Sequence, residues 1–339
     1  MDNIVLKCKS PLVSILILHH SKSKTAFKYL VNCLKSLEKS TYRNFEVILF
    51  DQSPTSVVAN YISRHFSHVK VIKIKKNLGA AEGRNQAAKF AHGDYQVFLD
   101  YDTKPEPEWL EELVKAVQCS RPNVAVFGSF EAPYNERVKN GGVHGTCDIL
   151  GCTYGEKENK HQIDPRYFHF EVLEAALLVK RGVFETIGGF DPRYWILCEG
   201  LDLCWRARLA GYDIVHVRSA VYHHAGLSTK HLSRKSVYFT ERNTLMTLIK
   251  NYSLKTLTFI LPLSILQLML EVFIFAFSGK PDLAFAVIRA ILWNFKHLKE
   301  NWIWHLKTQR LRRVSDKAIM NKMLKKNVKA LKTIRYLGV

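Results

Sequence analysis

KNLGAAEGRNQAAKFAHGDYQVFLDYDT, residues 76 to 103, joins a glycine-bearing turn, a helix, a second turn at His92-Gly93-Asp94 and a strand that stops at two carboxylates, Asp100 and Asp102. Tyr95, Val97, Phe98 and Leu99 are strand-forming residues, and their apolar run ends abruptly at the acids. Carboxylates so placed sit at the carboxyl end of a strand, the edge at which open α/β sheets bind ligands. A turn beginning at Asp100 would let the two acids diverge, one taking a ligand hydroxyl and the other a divalent cation. Mg²⁺ or Mn²⁺ suits that arrangement, because it accepts few protein oxygens and leaves positions open for phosphate. The plainer use of such a triplet is a solvated loop whose acids cap a helix starting near Pro105-Glu106.

Outward from this stretch the chain alternates. Strands are expected at Val13–Leu18, Phe45–Phe50, Lys70–Ile74, Gln96–Leu99 and Val124–Gly128, with helices at Phe27–Glu38, Val57–His65, Gly79–Ala91 and Glu108–Cys119. That spacing predicts an α/β fold with a mostly parallel central sheet covered by helices on both faces. From Glu131 to Asp164 the pattern fades into a Gly-, Asn- and charge-rich stretch, which reads as a long functional loop. The run EAALLVKR then restores a strand. Seven cysteines form no C-x-x-C pair, and this odd count without a secretory signal points to reduced thiols in the cytoplasm. Zinc is therefore not expected, and the one place that could offer it ligands is Cys147 and Cys152 near His144.

Several motifs recur in a familiar order: the strand SILIL (Ser14–Leu18), the helix CLKSL (Cys33–Leu37), TYRNFEVILFD (Thr41–Asp51), NLGAAEGRN (Asn77–Asn85) and the D-x-D strand. IGGFDPRYW (Ile187–Trp195), CEGLDLCWRARLAGYDI (Cys198–Ile214) and AVYHHAG (Ala220–Gly226) follow. Over its first 250 residues or so the chain resembles the family-two inverting glycosyltransferases of GT-A fold, especially their rhamnosyltransferase-like branch. The resemblance implies a nucleoside-diphosphate sugar as donor and Mn²⁺ or Mg²⁺ as cofactor. It also implies roles for individual residues. Asp51 would contact the base or ribose, Arg84 the nucleotide or diphosphate, Asp100 the ribose and Asp102 the metal, with a late histidine, His223 or its neighbour His224, as a further metal ligand. Arg84 reads equally as a surface arginine on a helix.

The pattern breaks where the family carries a Glu-Asp pair whose second member is the usual base. Here the pair is Glu199-Gly200, followed by Leu201-Asp202-Leu203-Cys204. Three readings stay open. Glu199 takes the base role through the freedom of glycine, Asp202 takes it, or the protein is a catalytically impaired sugar-nucleotide-binding scaffold. A carboxylate is an adequate base, which ranks Glu199 first. The plain reading of Asp202 is a first-turn acid favoured by the helix dipole. A sugar nucleotidyltransferase would want a glycine-rich phosphate loop after the first strand, and Leu18–Ser23 has none.

The last third divides the chain into a catalytic domain over 1–253, an apolar helical hairpin over 254–307 and a basic tail over 308–339. Leu257–Phe277 is long enough to span a bilayer but carries Pro262, Gln267 and Glu271, while Leu283–Phe295 holds Arg289 and precedes Trp302 and Trp304. Charges inside and tryptophans at the flank suit helices lying in a membrane interface. The alternative use of such a hairpin is a buried subdomain or a homodimer interface. Net charge is +20, and much of the excess lies beyond residue 295, which suits an anionic membrane surface on the cytoplasmic side. No nucleic-acid module is recognisable, so nucleic acid is not an expected partner. The acceptor expected at such a location is a glycan, lipid-linked or otherwise held at the membrane.

Overall fold

The apolar runs become strands because each alternates its side chains between two helical layers. Val13–His19 (β1), Phe45–Asp51 (β2), Val69–Lys73 (β3) and Tyr95–Asp100 (β4) are parallel in the order β3-β2-β1-β4. The computed structural model describes residues 10–133, 141–159, 170, 175–223, 233–325 and 327–329. Ile15, Ile17 and Val97 face Lys24–Leu37 (α1) and Trp109–Cys119 (α4), where Leu30, Leu34, Leu110 and Leu113 meet them. Leu16, Ile48 and Phe98 face the other way. They meet Ala81 and Ala87 of Gly79–Ala88 (α3) and Leu203 of Glu199–Leu209 (α6). Burial on both faces is why these strands read as continuous apolar runs. Val57–His65 (α2) covers β3.

Register fixes the functional edge. His19 pairs with Asp51 and Leu18 with Asp100, so three strands end level with one another. The order reverses between β1 and β4, and a crevice at that switch is the ligand site of open α/β sheets. Beyond β4 come Thr103–Pro105 (β5), Val124–Pro133 (β6), Ala176–Lys180 (β9) and Asp213–His223 (β10). The order continues β4-β9-β6-β10-β5, with β9 antiparallel to both neighbours and β5 antiparallel to β10.

The expected loop between Glu131 and Asp164 differs from what is found. Gly141–Cys147 (β7) and Thr153–Asn159 (β8) pair antiparallel, and β7 also joins β6. Their turn is closed by the Asp148 carboxylate, which accepts from the backbone N–H groups of Leu150 (3.0 Å) and Cys152 (2.9 Å). Cys147 is fully buried beside Trp205 and Tyr252 in an apolar cluster.

Arg234–Asn251 (α7) is buried along most of its length and links the sheet to Leu254–Phe277 (α8), Pro281–Lys296 (α9) and Leu298–Leu311 (α10). Asp316–Met320 (α11) follows, and the Leu324 N–H returns to the Cys147 carbonyl at 2.9 Å. The hairpin thus packs on α7, and the chain after it packs back on the sheet domain. Arg181–Thr186 (α5) joins α3 and α6 on their side of the sheet through Val183 and Phe184.

At the C-terminal end of α7 lies a buried ion cluster. Lys250 Nζ is 2.8 Å from Asp191 and 2.7 Å from Asp202, and all three side chains are shielded from solvent. Arg193 completes Asp191 at 2.7 Å and Arg206 completes Asp202 at 2.8 Å. Burial pushes both carboxyls up, but the surrounding cations outweigh it and hold them below the ordinary carboxylate range. Depressed carboxylates contribute stability above their unfolded pKa of about 4, and that stability is lost as pH falls through the lower folded values. Lys250→Met should cost about 3–5 kcal/mol in urea unfolding at neutral pH, because two buried carboxylates lose their shared cation. The variant should also regain stability relative to the wild type between about pH 7 and 5. A loss below about 1 kcal/mol would show that the cluster does not brace the fold.

Candidate active site

Asp51 ends β2 and is wholly buried. Its Oδ1 lies 3.2 Å from His19 Nδ1 and accepts from the Ser53 N–H at 3.0 Å, while Lys73 Nζ is 3.7 Å from Oδ2. Burial raises this carboxyl, and the hydrogen bonds of His19 and Ser53 more than reverse it. His19 Nε2 is buried without a hydrogen-bond partner among the described residues. The ring stands edge-on to Tyr101, with centroids 5.0 Å apart. His19 therefore belongs to this edge although the sequence reading passed over it. The available signal was its place as the last residue of β1, level with Asp51.

Gln52 joins that edge to the start of α3, accepting from the Leu78 N–H at 2.7 Å and donating to the Gly79 carbonyl at 3.2 Å. Gly79 takes φ +79°, and a Cβ there would lie 2.6 Å from the Trp195 carbonyl oxygen. This close approach lets the Ala80 N–H reach the Trp195 carbonyl at 2.5 Å. Two distant motifs, NLGAAEGRN and IGGFDPRYW, are docked by it. Asn85 clamps the second motif again, donating to the Phe190 carbonyl (2.8 Å) and accepting from its N–H (2.9 Å).

Arg84 is neither a surface arginine nor a free cation. It is buried, with Nη1 2.7 Å from Glu199 Oε1 and Nη2 2.9 Å from Asp100 Oδ1. The guanidinium also rests over Phe190 at 5.7 Å. It thereby binds the first acid of the D-x-D strand to the first residue of α6. The other Glu199 oxygen, Oε2, is buried and has no hydrogen-bond partner among the described residues. One oxygen fixed and one open is the arrangement a positioned base requires.

Asp102 sits in the turn between β4 and β5, nearly buried. Thr103 Oγ1 holds the turn by donating to the Asp100 carbonyl at 2.6 Å. Burial raises the Cys33 thiol beneath to about 12, which keeps it inert. Tyr101, between the acids, is likewise pushed to about 12 by burial and by Asp102 and Asp100. The β5–β10 register sets the backbone of His223 opposite Thr103, the residue after Asp102. The His223 side chain and all of His224 lie outside the described residues. Among the described residues no group of three His, Cys, Asp or Glu side chains is disposed to hold a metal ion. The Asp102 carboxylate at the sheet edge is of the oxygen-donor kind that Mn²⁺ or Mg²⁺ prefers.

Asp202 is placed differently from the candidate base. Its Oδ1 meets Lys250 (2.7 Å) and Asn251 Nδ2 (3.1 Å), and its Oδ2 accepts from Arg206 Nε at 2.9 Å. Both oxygens are engaged and wholly buried, so Asp202 has none left for an acceptor proton; its work is to hold the ion cluster. Gly200, where the resemblance expected an acid, is the second residue of α6 and is also buried.

The segment leading into Glu199 is strained. Trp195 (φ 61°), Leu197 (φ 71°) and Cys198 (φ 64°) are the non-glycine residues with positive φ among those described, and each costs about 1–3 kcal/mol. Asn243 compensates, with Nδ2 2.8 Å from the Ile196 carbonyl, 2.7 Å from that of Leu197 and 3.0 Å from that of Tyr194. Arg242 Nη2 donates to the Arg193 (2.7 Å) and Tyr194 (3.0 Å) carbonyls. Because Cys198 is left-handed, α6 starts at Glu199, and its carboxylate sits at the favourable end of the helix dipole. Nothing local to residue 243 announced this role. Asn243→Ala should destabilise the protein by about 2–3 kcal/mol through orphaned carbonyls. It should raise amide exchange over residues 195–202 and leave β1 and β4 protected. Unchanged exchange in that segment would mean that Asn243 does not brace it.

Known proteins bear on this geometry. Residues 14–177 match the family model Glycosyl transferase family 2. The O-antigen biosynthesis protein RfbC of Myxococcus xanthus is 26% identical over 206 residues, covering 57% of this chain and 16% of that protein. The chain spans less than half the length of the curated relatives it matches. In fold it is similar to GalNAc-T7, solved with UDP, GalNAc and Mn²⁺ (TM-score 0.59, 18% identity, 71% of this chain and 48% of that one). It is also similar to the mannosyltransferase PcManGT from Pyrobaculum calidifontis, solved with GDP-Man and Mn²⁺ (TM-score 0.52, 14% identity, 96% and 88%). Residues 14–177 are thus similar to family 2 glycosyltransferases and the chain has the α/β GT-A fold, with Asp100, Asp102 and Glu199 at one sheet edge.

Proposed function

We propose that the chain is a metal-dependent inverting glycosyltransferase. In this reading it moves a hexosyl or deoxyhexosyl group from a nucleoside-diphosphate sugar to a glycan acceptor held at the cytoplasmic membrane face, such as a lipid-linked glycan. The rhamnosyltransferase-like branch is the finer assignment, supported by the motif order. The observation that carries the reading is Glu199, whose Oε1 is tied to Arg84 while its Oε2 is buried and unpartnered.

Chemically, Glu199 Oε2 accepts the proton of an acceptor hydroxyl. The freed oxygen attacks the anomeric carbon from the face opposite the nucleotide. A carbon–oxygen bond to the acceptor forms as the bond to diphosphate breaks, and that electron pair leaves on the diphosphate. Arg84 keeps Glu199 aimed, and Asp51 and Asp100 hold the nucleoside. A divalent cation held by Asp102 with His223 would supply charge neutralisation for the departing diphosphate. Gly200 in the usual base position favours a second reading, a sugar-nucleotide-binding scaffold without turnover.

Thermal stabilisation by UDP, GDP and dTDP, each with and without Mn²⁺, separates the two readings in order. One nucleotide should stabilise the protein by about 3 kcal/mol at a hundredfold excess over its Kd, only with metal, and Asp102→Ala should abolish this. With the donor named, Glu199→Gln should keep that stabilisation and lower turnover by about 10²–10⁴. Full turnover in Glu199→Gln would remove Glu199 from the base role. Stabilisation by nucleotide without turnover in the wild type would favour the scaffold, and none by any nucleotide would sink the donor site altogether.

A further inference from the structure

Among the described residues α8 is the one helix long and apolar enough to cross a membrane. Its two sides, however, do different things. Leu257, Ile260, Ser264, Leu268, Glu271 and Phe275 recur every three or four residues and are buried against the protein. This inner face runs nearly the whole helix, and its one charge is answered. Glu271 is 3.0 Å from Lys329 Nζ, which also pairs with Glu241 of α7, and Gln267 Nε2 donates to Asn327 at 3.1 Å. The charge that interrupts the apolar sequence therefore points into the protein.

The outer side is Phe259, Leu263, Leu266, Leu270, Phe273 and Phe277, all exposed, with Phe259 at 74%, Leu266 at 67% and Phe277 at 88%. At about 100° per residue these six fall within an arc of about 80°. The helix reads as apolar all round because one side meets protein and the other meets nothing in the folded chain. On α9 the exposed residues Phe285, Leu292 and Phe295 alternate along one side with the exposed cations Arg289 and Lys296. On α10 exposed Leu298, Trp302 and Leu306 stand beside exposed Lys299 and Arg310. Exposed acids are sparse here: Asp282 and Glu300 on α9 and α10, and none on α8.

We propose that the outer face of α8, continued by α9 and α10, is a membrane-docking surface that lies flat in one leaflet of an anionic bilayer. Three observations fix the occupant and its geometry. A second copy of this face would oppose Arg289, Lys296 and Lys299 with like charges, whereas anionic headgroups neutralise them. Lysine and arginine between large apolar residues are placed to snorkel, with stems among acyl chains and heads at the phosphates. A transmembrane course would strip the inner face from α7 and α9 and leave Glu271 in hydrocarbon, which flat docking avoids. This surface deepens the membrane-held acceptor of the reading above and rests on it only for its purpose.

The test is co-sedimentation of the full chain with vesicles of phosphatidylcholine alone and of phosphatidylcholine with phosphatidylserine. The wild type should pellet with the anionic vesicles, be released by high salt or alkaline carbonate, and bind neutral vesicles at least tenfold less. Leu266→Glu with Phe273→Glu, both exposed and so neutral to folding, should lose binding at least tenfold. Lys296→Glu with Lys299→Glu should lose the preference for anionic lipid. Resistance to carbonate would overturn flat docking. Equal pelleting by the double glutamate variant of α8 would overturn the assigned face, and concentration-dependent dimerisation that this variant abolishes, without vesicle binding, would assign it to a second copy. Nucleotide stabilisation measured on the same samples keeps the two readings apart: its loss strikes the donor site, and loss of pelleting alone strikes the docking surface.

Discussion

Arg84 stands between two acids that reach it from opposite directions. Asp100 arrives on the central strand of the sheet and Glu199 on the first turn of a helix that lies 115 residues after Arg84. Without a shared cation, two carboxylates brought this close in a shielded site would repel each other or take up a proton. With it, the ion pairs join α3, β4 and α6 into one rigid corner and leave Asp100 partly open to solvent, Glu199 Oε2 unpartnered and Asp102 beside the next strand. The arrangement that can hold a donor and that which can activate an acceptor are thus set by one guanidinium.

That corner depends in turn on α7, a helix whose buried side is polar. Asn243, Thr247, Lys250 and Asn251 recur at helical spacing and face the IGGFDPRYW motif and α6. Asn243 satisfies carbonyls that left-handed residues turn away from any ladder, Thr247 shares a 2.7 Å hydrogen bond with the Tyr194 hydroxyl, and Lys250 neutralises Asp191 and Asp202. Buried polar groups of this kind are favourable only when every member is answered. Strain at Trp195, Leu197 and Cys198 is sustained because the surroundings over-determine it, as at other functional sites.

Much of this was legible in the chain itself. Strands buried on both faces announce themselves as apolar runs, and β1 to β4, β6 and β9 lie where those runs lie. The edge carrying Asp51, Asp100 and Asp102 followed from strand ends, and Glu199 from the place where the motif departs from its usual form. The β7–β8 hairpin was not legible, because glycine and alternating charge along Gly141–Cys147 and Thr153–Asn159 carry no apolar period. Arg84 was picked out as a residue, but its partners lie 16 and 115 positions away, and no local pattern encodes such a pairing. Asp202 misled because a first-turn acid looks alike whether it faces a substrate or a buried lysine. Asn243 was missed for the same reason: what it touches is set by tertiary structure alone, whereas the place of His19 at the end of β1 was a signal available in the chain.

The hairpin is bonded to the segment leading into Glu199 as well as packed near it. Asn294 of α9 donates to the Arg242 carbonyl at 3.0 Å, Asn301 of α10 accepts from Arg193 at 2.9 Å, and Arg242 lies over Trp293 at 4.6 Å. Arg193 and Arg242 are the residues that shape the approach to Glu199. In evolutionary terms the appendage is then no cassette. A lineage that exchanged or shed these helices would have to reinvent the supports of the segment leading into Glu199, so the hairpin and the Arg84–Glu199 corner are constrained to diverge together.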